Sequence, residues 1–196
     1  MTRVFSAHAV SVDGFITGRA PGPGRGLGDA GLLFDWYFDG DTGSEVFDGF
    51  RLSAESARVF DAEASRVGAV VAGRTTYDDS GWADGGSPHP HAPLVVLSHR
   101  PPPAIHDRQT FATDVTEAVA VARKIAGNRD VALMGGGLLT AALNAGLVDE
   151  LVLHQVPVLL GAGRGFFREL PAHVALRAVE VVAAPGVTHL RYEVIR

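Results

Sequence analysis

Three consecutive glycines, Gly135-Gly136-Gly137, follow directly on a mostly apolar run, Asp130 to Met134. From Leu138 the apolar residues Leu138, Leu139, Ala142, Leu143 and Leu147 fall at helical spacing, and Gly146 stands where a helix C-cap is expected. A strand that delivers glycines to a helix N-terminus brings bare backbone N–H groups close to a ligand. The dipole there favours an anion, most often a phosphate. A tight strand-to-helix turn without a ligand is the plain alternative; three glycines in a row favour the nucleotide site. A second junction of this kind is Gly73-Arg74-Thr75-Thr76, after the short apolar run Gly68 to Ala72. Arg74 and the threonines can donate to phosphate oxygens, and Thr75 or Thr76 can at the same time be an N-cap. After a third apolar run, Leu94 to Leu97, comes Ser98-His99-Arg100. A hydroxyl with one or two cations suits a ribose 2′-phosphate, because a bidentate Arg matches a phosphate dianion. An ordinary solvated loop has the same composition.

Those turns need elements to hold them. Arg3 to Val12 reads as a first strand ended by Asp13-Gly14, and Ser53 to Arg66 as a helix capped by Ser53 or Ser56. Phe111 to Val115 contains a short strand, and Thr116 to Ala126 is a helix closed by Gly127. Leu151 to Leu160 is a second strand beyond the glycine triplet, and Pro101 to Pro103 stop any helix. The end reads as a hairpin, Val174 to Val182 and Val187 to Ile195, turned at Ala184-Pro185-Gly186. Strands alternating with helices and closed by a hairpin give an α/β fold with a mixed, mainly parallel central sheet flanked by helices. The whole chain, 1–196, is expected to be a single domain. Gly18 to Gly31 is a Gly/Pro-rich loop, long enough to be either functional or a surface insertion.

Composition narrows the field. A net charge of −5 argues against a general nucleic-acid binder or an anionic-membrane binder. There are no cysteines, which removes thiolate chemistry and cysteine-ligated metals and fits a reducing cytoplasm. The N-terminus lacks a signal-peptide core, and no apolar run approaches a membrane span. His89 and His91 have a metal-like spacing, but they lie among prolines without an acidic partner nearby, so no metal site is assigned. The dinucleotide fingerprint fails, because the position about 20 residues beyond Gly135 is near Gln155 and carries no acid. Neither G-x-x-x-x-G-K-[ST] nor G-x-S-x-G is present.

Taken in order, several segments carry a family resemblance: Ser11-Val12-Asp13-Gly14-Phe15-Ile16, Gly73-Arg74-Thr75-Thr76-Tyr77, Leu97-Ser98, Gly135-Gly136-Gly137-Leu138-Leu139, Gly146-Leu147-Val148-Asp149-Glu150-Leu151 and Pro157-Val158-Leu159-Leu160-Gly161-x-Gly163. The chain resembles the dihydrofolate-reductase-like superfamily. It is most similar to the branch containing the reductase domain of the bifunctional riboflavin-biosynthesis deaminase/reductase. No deaminase domain is expected in this sequence, which has neither the length nor the zinc-binding cysteines for one. The resemblance implies NADPH as cofactor, a small-molecule substrate and a homodimer. It implies phosphate contacts at Gly73, Arg74, Thr75 and Thr76, and a 2′-phosphate seat at Ser98, His99 and Arg100 beside Leu97. It further implies a pyrophosphate and ribose seat at Gly135, Gly136, Gly137, Leu138 and Leu139, with Ala9 and Ile16 flanking the nicotinamide.

The helix acid of the folate enzymes would fall near Ser56 or Ala57, with Glu55 the nearest carboxylate, so folate reduction is not expected. The expectation is a reductase of a small heterocyclic or ribosylated metabolite, similar to 5-amino-6-(5-phosphoribosylamino)uracil reductase. The rival is a non-catalytic nucleotide-binding protein on the same scaffold. Asp13 is the candidate catalytic polar group, with an Asp-Gly turn as its plain role. Asp35 and Trp36 are candidate substrate residues, Trp36 being equally suited to the core. Gly161, Gly163 and Arg164 can form an anion nest for a substrate phosphate.

Overall fold

The computed structural model describes residues 2–100, 104 and 106–195. The triple proline at 101–103 therefore lies outside the described residues. Strand β1, Val4–Ser11, is followed by a 3-10 helix, Gly31–Tyr37, and two short strands, β2 (Thr42–Gly43) and β3 (Arg51–Leu52). Helix α1, Ala54–Ser65, leads to β4, Val67–Gly73, and to the short helix α2, Arg74–Asp79. Strands β5, Leu94–Leu97, and β6, Gln109–Ala112, precede helix α3, Val115–Ala126. The chain continues through β7, Asp130–Met134, helix α4, Gly136–Asn144, and β8, Glu150–Val156, and ends in the hairpin β9, Leu176–Ala184, and β10, Val187–Val194.

Eight strands form one sheet in the order β6-β5-β4-β7-β1-β8-β10-β9. β1 pairs in parallel with β7 on one side and β8 on the other, and β4, β5 and β6 extend the parallel part. Only β10 runs against this direction; β9, antiparallel to β10, runs with it again. This is the expected mixed sheet with a C-terminal hairpin. Parallel strands need cover on both faces, which explains why β4 is buried along nearly its whole length. Helices α3 and α4 cover one face with Val119, Ala122, Leu139 and Ala142 over Val71, Val131 and Leu133. On the other face α1 and the 3-10 helix bring Ala57, Phe60, Leu33 and Trp36 against Ala9 and Val156.

Local chemistry sets the ends of these elements. The Ser53 hydroxyl accepts from the Ser56 amide at 3.2 Å and caps α1, and Asp114 accepts from Thr116 and Glu117 to cap α3. Gly127, at φ +63°, closes α3 in a conformation that glycine adopts without strain. α4 starts at Gly136, two residues before the expected Leu138, because glycines can enter the first turn. β8 stops at Val156, short of the expected Leu160: Pro157 has no amide hydrogen to donate, and Leu159 is left 72% exposed. Among the described residues, no helix is long and apolar enough to cross a membrane, and no group of three or more His, Asp or Glu could hold a metal ion. His89 is instead a buried scaffold residue; its Nδ1 accepts from the amides of His91 and Ala92.

A polar chain crosses the second face beneath α1. His189 Nε2 meets Ser56 Oγ at 2.9 Å, and His189 Nδ1 meets His154 Nδ1 at 2.8 Å. Burial, and then the neighbouring His154 and Arg58, push the pKa of His189 down to about 3. The folded chain thus holds this imidazole neutral, while the unfolded chain protonates near the usual value of about 6.5. More protons on the unfolded state mean that stability falls as pH falls from about 6.5 towards about 3. Urea unfolding across that window is expected to show this loss, with a shallower slope in His189→Asn. Equal slopes in the two proteins would remove His189 as the source.

Candidate functional site

A cavity of about 990 Å³ lies across the C-terminal ends of β4, β7 and β1 and continues beneath α1. Ligands bind at such strand ends in open α/β sheets, and the volume suits a large organic ligand. Of the residues singled out by sequence, Ala9, Ile16, Gly73, Arg74, Thr75, Thr76, Gly135, Gly136, Gly137, Leu138 and Arg164 line it. Ala9 lies on β1 and Ile16 in the turn that follows it, and the packing of β1 between β7 and β8 brings that end of β1 to the glycine turn, with His8 on the Gly135 amide.

The three glycines answer to three different neighbours. Gly135 has φ +105°, and a Cβ there would run into the Thr76 hydroxyl. A Cβ on Gly136 would fall on the carbonyl oxygens of Gly165 and Phe166, which are backbone and cannot swing away. A Cβ on Gly137 would stand 3.1 Å from the guanidinium carbon of Arg168. At Gly137 the nearest neighbour is a flexible side chain that lines the cavity; at Gly136 the chain itself requires a glycine. No side chain among the described residues caps α4, so its first amides face the cavity beside Arg168.

His8 fixes this turn. Its Nε2 accepts from the Gly135 amide at 3.0 Å, its Nδ1 lies 3.3 Å from Ser6 Oγ, and Ser6 donates onward to the Leu133 carbonyl. Those partners assign the ring proton to Nδ1. Burial, and then His154, lower its pKa to about 4, so a neutral ring is the form present near neutrality. A second wall is made by zipping the turn after β1 to the stretch after β8. The amides of Ile16 and Phe166 donate to the carbonyls of Arg164 and Gly14, and the Arg164 amide donates to Thr17 Oγ1.

Asp13 belongs to that zipper and does not line the cavity. It accepts from the Ser11 hydroxyl at 2.6 Å, the Leu160 amide at 3.1 Å and the Gly161 amide at 2.7 Å. The Ser11 hydrogen bond, and then these amides, hold its carboxyl below the ordinary range. Asp35 and Trp36 also lie off the cavity. In a 3-10 helix residues three apart share a face, so Leu33 and Trp36 go to the core while Phe34 and Tyr37 face the cavity and Asp35 faces solvent. Gly161 and Gly163 sit behind the wall, and Gly163 passes so close to the Thr17 carbonyl that no Cβ fits. Leu139 is fully buried in the core, and Leu97 packs on the same cluster. Ser98, His99 and Arg100 do not line the cavity, but they adjoin its rim. Arg74 donates to both Asp78 and Ser98 Oγ, and Arg100 reaches Asp78 at 2.8 Å.

Sequence reading missed His8, Glu63, Arg168 and the aromatic group that completes the cavity. His8 stands one residue from Ala9 and shares a strand face with Ser6, which was the available signal. Glu63 lies three residues after Phe60, so helical spacing already placed it beside the inward face of α1. Nothing local marked Arg168.

Arg74, Thr75, Thr76, Arg168 and the open start of α4 fit the diphosphate of a dinucleotide, with Ala9 and Ile16 beyond it. Gly136→Ala is expected to lose about 2 kcal/mol of stability from the backbone clash. Gly137→Ala should fold normally and bind inorganic pyrophosphate several-fold more weakly in calorimetry. Equal stability of the two variants would refute the division of labour between these glycines.

Comparison with known proteins follows the same lines. Residues 2–190 match the RibD C-terminal domain. A protein from Shewanella sp. PV-4 assigned to riboflavin biosynthesis superposes with a TM-score of 0.70 at 22% identity, covering 100% of both chains. A dihydrofolate reductase from Enterococcus faecalis, complexed with NADP(H), gives 0.61 at 17% identity over 98% of this chain and 96% of its own. RibD from Acinetobacter baumannii gives 0.62 at 16% identity over 100% of this chain but 58% of its own length. At these identities the structural likeness establishes a dihydrofolate-reductase-like fold. A comparison with curated proteins gives no match. The family match runs nearly end to end, through both wall-forming loops and the glycine turn, and the chain belongs to the RibD C-terminal domain family.

Proposed function

We propose that the protein is an NADPH-dependent reductase of a small heterocyclic or ribosylated metabolite. The observation that carries this reading is the cavity's polar end. Arg168 at the uncapped start of α4 faces Arg74, Thr75 and Thr76 of α2 across a space large enough for a dinucleotide. When bound there, a nicotinamide supplies the hydride; the protein supplies position and electrostatics. His8 holds the glycine turn in place through the Gly135 amide. Ala9 and Ile16 offer an apolar wall that excludes water from the reacting face.

The 2′-phosphate preference rests on the rim. Asp78 holds both Arg74 and Arg100, with Arg100 63% exposed at the mouth. A 2′-phosphate would draw Arg100 from this carboxylate by offering a dianion with matched geometry. The rival reading, a non-catalytic nucleotide binder, draws on the stretch near Ser56 or Ala57, where the resemblance puts the folate enzymes' acid and this chain has none; Ser56 here bonds His189. Glu63, about two turns further along α1, lines the cavity and brings a carboxyl group to it, which favours the enzyme.

The same reading includes residence in the cytoplasm, in keeping with a chain without cysteine, and a homodimer through the edge strand β9, where Val179 and Val181 are 42% and 63% exposed. Sedimentation should give a dimer, and Val181→Lys a monomer; a wild-type monomer would refute that part.

Fluorescence titration with NADPH and NADH tests the cofactor. Saturable NADPH binding is expected, with NADH weaker. Arg100→Ala should cost about tenfold for NADPH, or ~1.4 kcal/mol, and little for NADH. Equal losses would remove Arg100 from 2′-phosphate recognition, and a folded protein that binds neither would overturn the reductase reading.

A further inference from the structure

Two buried histidines lie beneath the main cavity without lining it. His154 on β8 and His189 on β10 are partners across the antiparallel strands, and their Nδ1 atoms stand 2.8 Å apart. Two facing ring nitrogens can share only one hydrogen, so one ring donates and the other accepts. On the far side of His189, Nε2 meets Ser56 Oγ at 2.9 Å, where a hydroxyl serves as donor or as acceptor. On the far side of His154, Nε2 is buried without a hydrogen-bond partner, and Glu63 Oε2 is 3.6 Å away. An unpaired buried nitrogen is costly, and a small rotation of the Glu63 carboxyl satisfies it. Ser56, His189, His154 and Glu63 thus form one row.

Two arrangements satisfy every ring nitrogen of this row. With Glu63 ionised, His154 Nε2–H points at the carboxylate, His154 Nδ1 accepts from His189 Nδ1–H, and His189 Nε2 accepts from Ser56. With one proton more, that proton lies between Glu63 Oε2 and His154 Nε2. His154 Nδ1–H then donates to His189, and His189 Nε2–H donates to Ser56. The change needs a proton to enter at His189, the shared hydrogen to cross to His154, and the hydrogen on His154 Nε2 to move up to the contact with Glu63. Burial, and then His154, lower the pKa of His189 to about 3, so its ring is neutral in both arrangements. Solvent has a way in: His189 and Glu63 both line a second cavity of about 240 Å³ between α1 and strands β8, β9 and β10, and Glu63 lines the main cavity as well.

The surrounding charges leave the row to itself. On α1, Arg58 binds Glu180 and Arg66 binds Asp130 and Glu150, while Arg191 on β10 reaches Glu150 and Glu180. Burial, and then the charge of Glu63, push the pKa of Tyr37 up, so that hydroxyl stays neutral. His8 on β1 couples to His154 and is itself neutral. Arg25, Arg74, Arg164 and Arg168 line the main cavity that Glu63 shares, and Asp79 pairs with Arg164 there.

Reduction of a C=O or C=N bond by a nicotinamide takes one hydride and one proton. The hydride brings both electrons from the cofactor, which leaves oxidised, and the proton adds to the oxygen or nitrogen of the acceptor. We propose that His154 and His189 are positioning residues for this proton: the hydrogen they share changes sides as the contact between Glu63 and His154 gains or loses a proton, and the second cavity is where solvent supplies it. The proposal rests on the reductase reading for the use made of the proton.

NMR of the full chain, labelled with 15N-histidine and followed from neutral pH to the onset of acid unfolding, tests it. His189 is expected to pass from the Nδ1–H to the Nε2–H tautomer while staying neutral. Glu63→Gln should lower the midpoint of that change by about one pH unit or more, because the carboxylate that attracts the proton is gone. Val182→Phe, which fills the second cavity, should slow exchange of the His189 ring hydrogen with water several-fold. A single His189 tautomer throughout the wild-type titration, or an unmoved midpoint in Glu63→Gln, would overturn the proposal. Unchanged exchange in Val182→Phe would remove the second cavity as the entrance. NADPH calorimetry separates the two readings. If the tautomer changes and NADPH does not bind, the proton site stands and the reductase reading falls. If NADPH binds and His189 keeps one tautomer, the positioning role alone falls.

Discussion

The parallel pairing of β1 on both of its edges is the constraint on which this molecule depends. With β7 on one side and β8 on the other, β1 is buried and its direction dictates that of its neighbours. All the adjacent strands then end at one edge of the sheet, and each ends in a turn that must pass into a helix or a wall. Gly73 at the end of β4, Gly135 after β7 and Asp13 after β1 therefore meet at the same rim. The arrangement is anchored at the opposite end by Glu150, a fully buried carboxylate at the start of β8 that Arg3, Arg66 and Arg191 surround. Arg66 also stacks over Phe5 at 3.9 Å, which fixes the floor of the cavity from behind.

The cavity that results has two chemistries. At the strand ends, backbone amides, hydroxyls and arginines face one another, an environment that welcomes phosphate. Beneath α1, aromatic rings surround a single carboxyl group. The two walls are built from segments distant in sequence. The loop after β8 closes over the turn after β1 through Asp13, and Gly163 passes against Thr17. Asp13 thus helps to set the shape of the site.

Buried histidines connect these regions. His8 holds the glycine turn, and His154 and His189 lie together beneath the aromatic shell. All are kept from full hydration by the sheet and by α1. Trp36 packs on both His154 and His189, at 5.0 and 5.2 Å, and so belongs to the scaffold of this polar chain. An aromatic cluster in a sequence announces burial; which of its rings face a ligand depends on the helix type that presents them.

By itself the sequence determined the main strands and helices of the central sheet, their order and the glycine turns, but not the 3-10 helix or the short strands β2 and β3. Apolar periodicity and caps are local signals, so α1, α3 and the hairpin stand within a few residues of where spacing puts them. The turns after β4 and β7 were legible because glycine and threonine chemistry at a strand end is local too. Tertiary structure alone decided the rest. Asp35 and Trp36 turned away from the cavity because the segment winds as a 3-10 helix, whose repeat differs from that of an α-helix. Arg168 and Glu63 became cavity residues through contacts spanning much of the chain. Whether Gly136 serves a ligand or the protein depended on the carbonyls of Gly165 and Phe166, about thirty residues away. Side-chain direction and long-range approach are set by packing, and packing is a property of the whole fold rather than of any window along it.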